Sequence, residues 1–170
     1  MKTCLVGCGG IAAVHGSVLT SGIDTEFVAA ADIKPEKAQS YAENFHTKPY
    51  PSLESMLEAE KPDVLHICTP HYLHVPMAIY SLERNINVFM EKPPAISFDQ
   101  LEELKKAAAK SEAQLGFCYQ NRYNASIRAA KDLIDSGKAG KVLGARAFVT
   151  WCRGAAYYTE SGWRGSLKTE

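Results

Sequence analysis

The stretch VFMEKPPA, residues 88–95, sets Glu91 and Lys92 at the end of an apolar run and follows them with Pro93 and Pro94. A strand that merely ends in a turn needs no charged pair there. A lysine at the mouth of a buried strand can hydrogen-bond a reacting hydroxyl or carbonyl. Its ammonium stabilises negative charge developing on that oxygen or relays its proton. The two prolines restrict the backbone around it and so fix where Lys92 points. On an open surface turn the same residues are a solvated lysine and nothing more. The elements around Lys92 must decide.

A second chemical stretch is LVGCGGIA, which carries Gly7-x-Gly9-x-x-Ala12. The first glycine suits a tight turn and the second a close approach of backbone to a pyrophosphate. A small third residue lets helix and strand pack closely. The helix N-terminus adds free N–H groups and partial positive charge. Asp32 follows twenty residues after Ala12, where an acid hydrogen-bonds the hydroxyls of an adenosine ribose. That carboxylate repels a 2′-phosphate, which favours NAD over NADP, whereas Lys34 tolerates one. The plainer role for Asp32 is to cap the helix that begins at Pro35.

HICTPHYLH gathers His66, Cys68, His71 and His74 within nine residues. These are ligand types for a metal, but a metal needs convergence. His66 and Cys68 share one strand face, while His71 and His74 lie beyond the strand end. No metal is expected. The alternative is a loop facing a cofactor at the carboxyl end of the strand.

The elements that position these residues alternate regularly. TCLVG, EFVAAAD, DVLHICT, NVFM and QLGFCY read as apolar strands, with a weaker one near HTKPY. Helices are expected from Ile11 to Leu19, over PEKAQSYAENF with proline in its first turn, over LESMLEAE capped by Ser52, over VPMAIYSLER, and over LEELKKAAAKSE behind a capping box at 97–100. Near-continuous apolar strands separated by amphipathic helices imply an α/β fold, a doubly wound parallel Rossmann-type sheet. It spans residues 1–119. Beyond it, NASIRAAKDLIDSG reads as a helix capped by Asn124 and stopped by Gly137, KVLGARAFVTW as a strand over 141–151, and the rest as aromatic loop. Residues 120–170 thus read as the opening of a second, truncated domain for substrate binding and oligomerisation.

Bulk composition agrees. Of 170 residues, 46% are hydrophobic and 22% charged, and 19 basic residues balance 19 acidic ones. That balance argues against a nucleic-acid partner. No apolar run is long enough for a bilayer. Of the five cysteines, Cys4, Cys68 and Cys118 sit in strand-like runs, the pattern of buried free thiols in a reducing cytoplasm.

With VGCGGIA, AAD, ICTPHYLH, EKP, YQNRYNASI and WRG in this order, the chain resembles the Gfo/Idh/MocA oxidoreductases. The resemblance covers essentially the whole chain. It implies a Rossmann domain followed by an α/β domain on a large, mostly antiparallel sheet. It also implies an NAD(P)-dependent dehydrogenase that transfers a hydride at a secondary alcohol of a sugar, cyclitol or related polyol. Gly7, Gly9, Gly10 and Ile11 then line the pyrophosphate and Asp32 holds the ribose. Thr69, Pro70 and His74 edge the cofactor. Glu91 and Lys92 match the active-site pair, with Lys92 the catalytic group. Gln120 and Arg122 lie near the nicotinamide, and Trp163 and Arg164 match an aromatic–arginine pair that folds back onto the cofactor. Asn85 stands where relatives often carry glycine. The Asp/His pair of the relatives' second domain has no counterpart here, so the alternative is a nucleotide-binding portion without turnover of its own. Full-length relatives commonly homo-oligomerise through the second domain's sheet, and the strand over 141–151, lacking its partners, is expected to pair with another copy, to pack on the first domain or to be poorly ordered.

Overall fold

A computed structural model describes residues 1–22 and 24–169. Six strands are laid down in chain order: β1 (Lys2–Val6), β2 (Glu26–Ala31), β3 (Lys48–Tyr50), β4 (Val64–Ile67), β5 (Asn87–Glu91) and β6 (Leu115–Cys118). They form one parallel sheet of order β3-β2-β1-β4-β5-β6. The helices between them are α1 (Ala12–Thr20), α2 (Pro35–Phe45), α3 (Leu53–Glu60), α4 (His74–Leu82) and α5 (Phe98–Lys110). The order reverses at β1 and β4, so the carboxyl ends of these strands open a crevice there.

Local chemistry sets the helix boundaries. Pro35 opens α2 behind an extended Lys34, and His46 closes it in the left-handed region at φ 53°. Ser52 Oγ accepts the Ser55 N–H and caps α3. At α5, Ser97 Oγ accepts the Gln100 N–H, while Gln100 Oε1 takes the Ile96 N–H. The capping box is therefore present but displaced by one residue on its return side. Asn85 adopts φ 55° ahead of β5, the conformation glycine would supply.

The sheet is covered on both faces, unevenly. Leu65, Ile67, Val88 and Met90 pack with Leu53, Met56 and Leu57 of α3, Val75, Ala78 and Leu82 of α4, and Leu104 of α5. On the opposite face a smaller cluster joins Leu5, Ala12, Ala30, Tyr41 and Cys68. Here α1 meets α2 closely: Tyr41 Oη donates to the Ala12 carbonyl at 2.7 Å, and a Cβ on Gly16 would lie 2.6 Å from that oxygen.

The described chain divides into two compact units: Met1–Cys118 with the stretch from Gly165 onward, and Tyr119–Arg164. The second unit holds α6 (Ala125–Asp135), with Gly137 at φ 74° beyond it, and a short α7 (Ala155–Thr159) inside the stretch expected as loop. The strand expected over 141–151 is absent: this stretch joins no ladder among the described residues. Its alternating pattern favours extended backbone, but a strand is stabilised by cross-strand partners, and none pairs with it. Leu143, Phe148, Val149 and Trp151 stay exposed.

Candidate functional site

Gly7 makes the turn after β1 at φ 92°, donating its N–H to the Ala31 carbonyl at 2.8 Å. A Cβ there would lie 2.7 Å from both the Cys68 carbonyl carbon and the Thr69 nitrogen, so only glycine allows the turn after β4 to cross this one. Gly9 and Gly10 are exposed, and a Cβ on either meets nothing within 4 Å. No side chain caps α1, whose first residue is the buried Ala12, and Ile11 is 40% exposed. The result is an open cradle of backbone above a helix N-terminus.

Asp32 closes one side of the cradle. Its Oδ2 accepts the Cys8 N–H and its Oδ1 the Lys34 N–H, each at 2.9 Å. The carboxylate therefore ties the glycine loop to the turn before α2, while the N-cap of α2 is Lys34 itself. Both oxygens retain lone pairs for further donors.

Thr69 and Pro70 form the half-buried turn after β4, and Thr69 Oγ1 is buried without a hydrogen-bond partner. His74 has no exposed surface. Its Nε2 lies 2.9 Å from the Thr69 carbonyl oxygen and its Nδ1 2.8 Å from that of Pro93. Expected at the cofactor's edge, it sits behind the two turns and joins them. The four residues weighed as a metal cluster do not converge. His66 turns its ring toward His15 and Phe89, Cys68 packs in the smaller core, and His74 lies between carbonyls.

Lys92 is exposed immediately past the buried end of β5, and the Lys92–Pro93 peptide is cis. Beneath it lies a network that the sequence did not disclose. Glu91 is 5% exposed; its Oε2 accepts the Lys92 N–H at 3.3 Å and its Oε1 lies 3.0 Å from His15 Nε2. His15, 7% exposed on α1, sets its Nδ1 2.9 Å from His66 Nδ1. Burial pushes Glu91 upward, but hydrogen bonds from His15 and Cys118 outweigh it and hold the carboxyl below its ordinary value. Burial, then the charge of His15, bring His66 down to about 4, so its ring is neutral near pH 7. His15, Glu91 and Cys118 bring ligand-type atoms within 4.8 Å of one another, but the carboxylate is already hydrogen-bonded by the other two. The available signal was a lone histidine, His15, on an apolar helix face, which alone reads as packing.

In the second unit, Gln120 and Arg122 lie in an exposed helical turn, Gln120–Tyr123. The Arg164 guanidinium sits 4.2 Å from the centroid of Tyr157 and 4.9 Å from that of Trp163.

A backbone cradle, an acid anchored beside it and an orphaned hydroxyl across it suit a dinucleotide. Known proteins agree with this geometry. Residues 1–119 match the Gfo/Idh/MocA oxidoreductase family, described by its NAD-binding Rossmann fold, and the chain belongs to that family. It is 28% identical over 165 residues to D-glucoside 3-dehydrogenase of Escherichia coli, covering 96% of this chain and 46% of that protein. It superposes on the WlbA dehydrogenase of Bordetella pertussis, solved with NADH and UDP-GlcNAcA, with a TM-score of 0.91 and 30% identity over 99% of this chain and 52% of that one. Myo-inositol dehydrogenase of Lactobacillus casei, solved with NAD(H) and myo-inositol, gives 0.75 and 26% over 81% and 42%. The chain thus spans about half the length of these relatives. The fold that it shares with the family is described as NAD-binding. No helix among the described residues is long and apolar enough to cross a membrane.

Proposed function

We propose that this chain is the cofactor-binding and proton-handling portion of an NAD-dependent dehydrogenase acting on a secondary alcohol of a sugar, cyclitol or related polyol. The observation that carries the reading is the meeting of four features at the carboxyl edge of one sheet. These are the glycine turn after β1, Asp32 after β2, Thr69 after β4 and Lys92 after β5. Bound NAD supplies the hydride acceptor. The backbone at Gly9, Gly10 and Ile11 takes the pyrophosphate, and Asp32 accepts from the ribose hydroxyls. Thr69 Oγ1 gains a partner at the cofactor's edge. Lys92 holds the substrate oxygen and receives its proton as the carbonyl forms, the direction reversing in reduction.

The second reading is a nucleotide-binding portion without turnover. It is favoured by the family match, which falls on residues 1–119 and is described by NAD binding. Calorimetric titration with NADH and NADPH, followed by a turnover screen on sugars and polyols, separates the two. NADH binding well above NADPH is expected. Turnover sustains the first reading, and binding without turnover the second. Binding of neither cofactor overturns both.

A further inference from the structure

Buried His15 and half-buried His66 have no part in the reading above, yet they connect the glycine-loop helix to the lysine turn. Glu91 is ionised, so the nitrogen facing it 3.0 Å away must carry a proton. That nitrogen is His15 Nε2. In a neutral His15 ring Nδ1 is then a bare lone pair, and it faces His66 Nδ1 at 2.9 Å. Two lone pairs at that distance repel, so beside a neutral His15 ring His66 holds its own proton on Nδ1. The hydrogen bond at one ring nitrogen fixes the state of the other. Phe89, cross-strand from His66, backs both rings, with centroids 5.1 Å from His66 and 6.0 Å from His15.

We propose that His66 and His15 form a tautomer lock on Glu91, and through Glu91 are positioning residues for Lys92. His66 Nδ1–H donates to His15 Nδ1, His15 Nε2–H donates to Glu91 Oε1, and Glu91 Oε2 receives the Lys92 N–H. Donors run from β4 through α1 into the carboxylate at the end of β5, and the Lys92 N–H meets that carboxylate from the other side. It sets the orientation of the lysine turn and fixes it to the helix under the cofactor cradle. The inference rests on the reading of Lys92 as the proton-handling group.

The test is nitrogen-15 NMR of the histidine rings of the whole chain near pH 7. His15 is expected to show a protonated Nε2 and bare Nδ1, and His66 a protonated Nδ1. A His15 ring protonated on Nδ1, or on both nitrogens, overturns the lock. The Lys92 backbone amide gives the second readout. His15→Gln keeps a side-chain donor to Glu91 and should preserve the protection of that amide, whereas His15→Leu should speed its exchange about tenfold, the size of one net hydrogen bond. Equal protection in both overturns the positioning role. Should His15→Leu fail to fold, His66→Phe serves instead: it keeps an aromatic ring but removes the donor to His15 Nδ1, and exchange of the Lys92 amide should quicken, unchanged protection overturning the positioning role. NADH titration of the same sample keeps the two ideas apart. Tautomers as stated without NADH binding would sink the cofactor reading alone, and NADH binding with the wrong tautomers the lock alone.

Discussion

Asp32 has two duties, and they are separable by substitution. As an anchor it receives the Cys8 and Lys34 N–H groups; as a ligand it faces the cofactor cradle. Asp32→Asn keeps one acceptor oxygen and removes the charge. NADH affinity should fall by about 10- to 100-fold, the range of a hydrogen bond to a charged group, and the preference over NADPH should narrow. Calorimetry with both nucleotides checks this. Asp32→Ala should in addition lower the melting temperature, because two loop N–H groups lose their acceptor. Gly7 is less forgiving. A side chain there meets the backbone of Cys68 and Thr69 and must adopt φ 92°. Gly7→Ala should cost at least about 1–3 kcal/mol from backbone strain alone, visible in urea unfolding.

Between elements, the contact of α1 with α2 depends on Gly16. Gly16→Ala would drive a methyl into Tyr41 Oη and the Phe45 ring and break the bond from Tyr41 to the Ala12 carbonyl. Overpacking of this kind costs about 1–3 kcal/mol. Because Ala12 opens the helix under the cradle, NADH binding should weaken with it, and Tyr41→Phe should reproduce part of the loss. A second inter-element tie is Glu60, at the end of α3. It is ion-paired with Lys2 of β1 and Lys48 of β3 and hydrogen-bonded by Tyr50. Those hydrogen bonds, from Tyr50 first and then Lys48, bring its carboxyl down to about 2 from an ordinary 4.5. The folded state therefore binds this proton less readily than the unfolded one. The stabilisation is whole above pH 4.5 and is lost progressively as pH falls through about 2. Glu60→Gln should lower stability at pH 7 and flatten its dependence in that acid window, as followed by thermal melts across pH.

Over the whole molecule, the sheet was legible because each strand is a short apolar run closed by its own punctuation, as in LVG or ICTP. The glycine loop and Asp32 were legible because their spacing is local. What escaped was long-range. His15 and His66 lie 51 residues apart, and only the packing of α1 across the ends of β4 and β5 makes them neighbours. The stretch over 141–151 misled for the same reason in reverse: its pattern is local, but a strand needs a distant partner. Thiol chemistry also belongs to this scale. Cys4 and Cys8 are pushed up to about 12, chiefly by burial, and Cys68 is raised further for the same reason, while Cys152 is exposed. A slow thiol reagent near pH 7.5 should modify Cys152 first, with the label found by mass spectrometry. Equal labelling of Cys4 would refute the packing described.

The placement of Glu60 has a further consequence for anyone wishing to alter this protein. Glu60 precedes β4 and pairs with the first strand residue of β1, so it lies at the amino edge of the sheet, opposite the cradle and Lys92. Robustness and chemistry are thereby wired to different ends of the same strands. A library of substitutions confined to Lys2, Lys48 and Glu60 can be screened for heat or acid tolerance alone, and nucleotide affinity should remain constant across it, whereas Tyr50, whose carbonyl accepts the Asp32 N–H, belongs to the other edge.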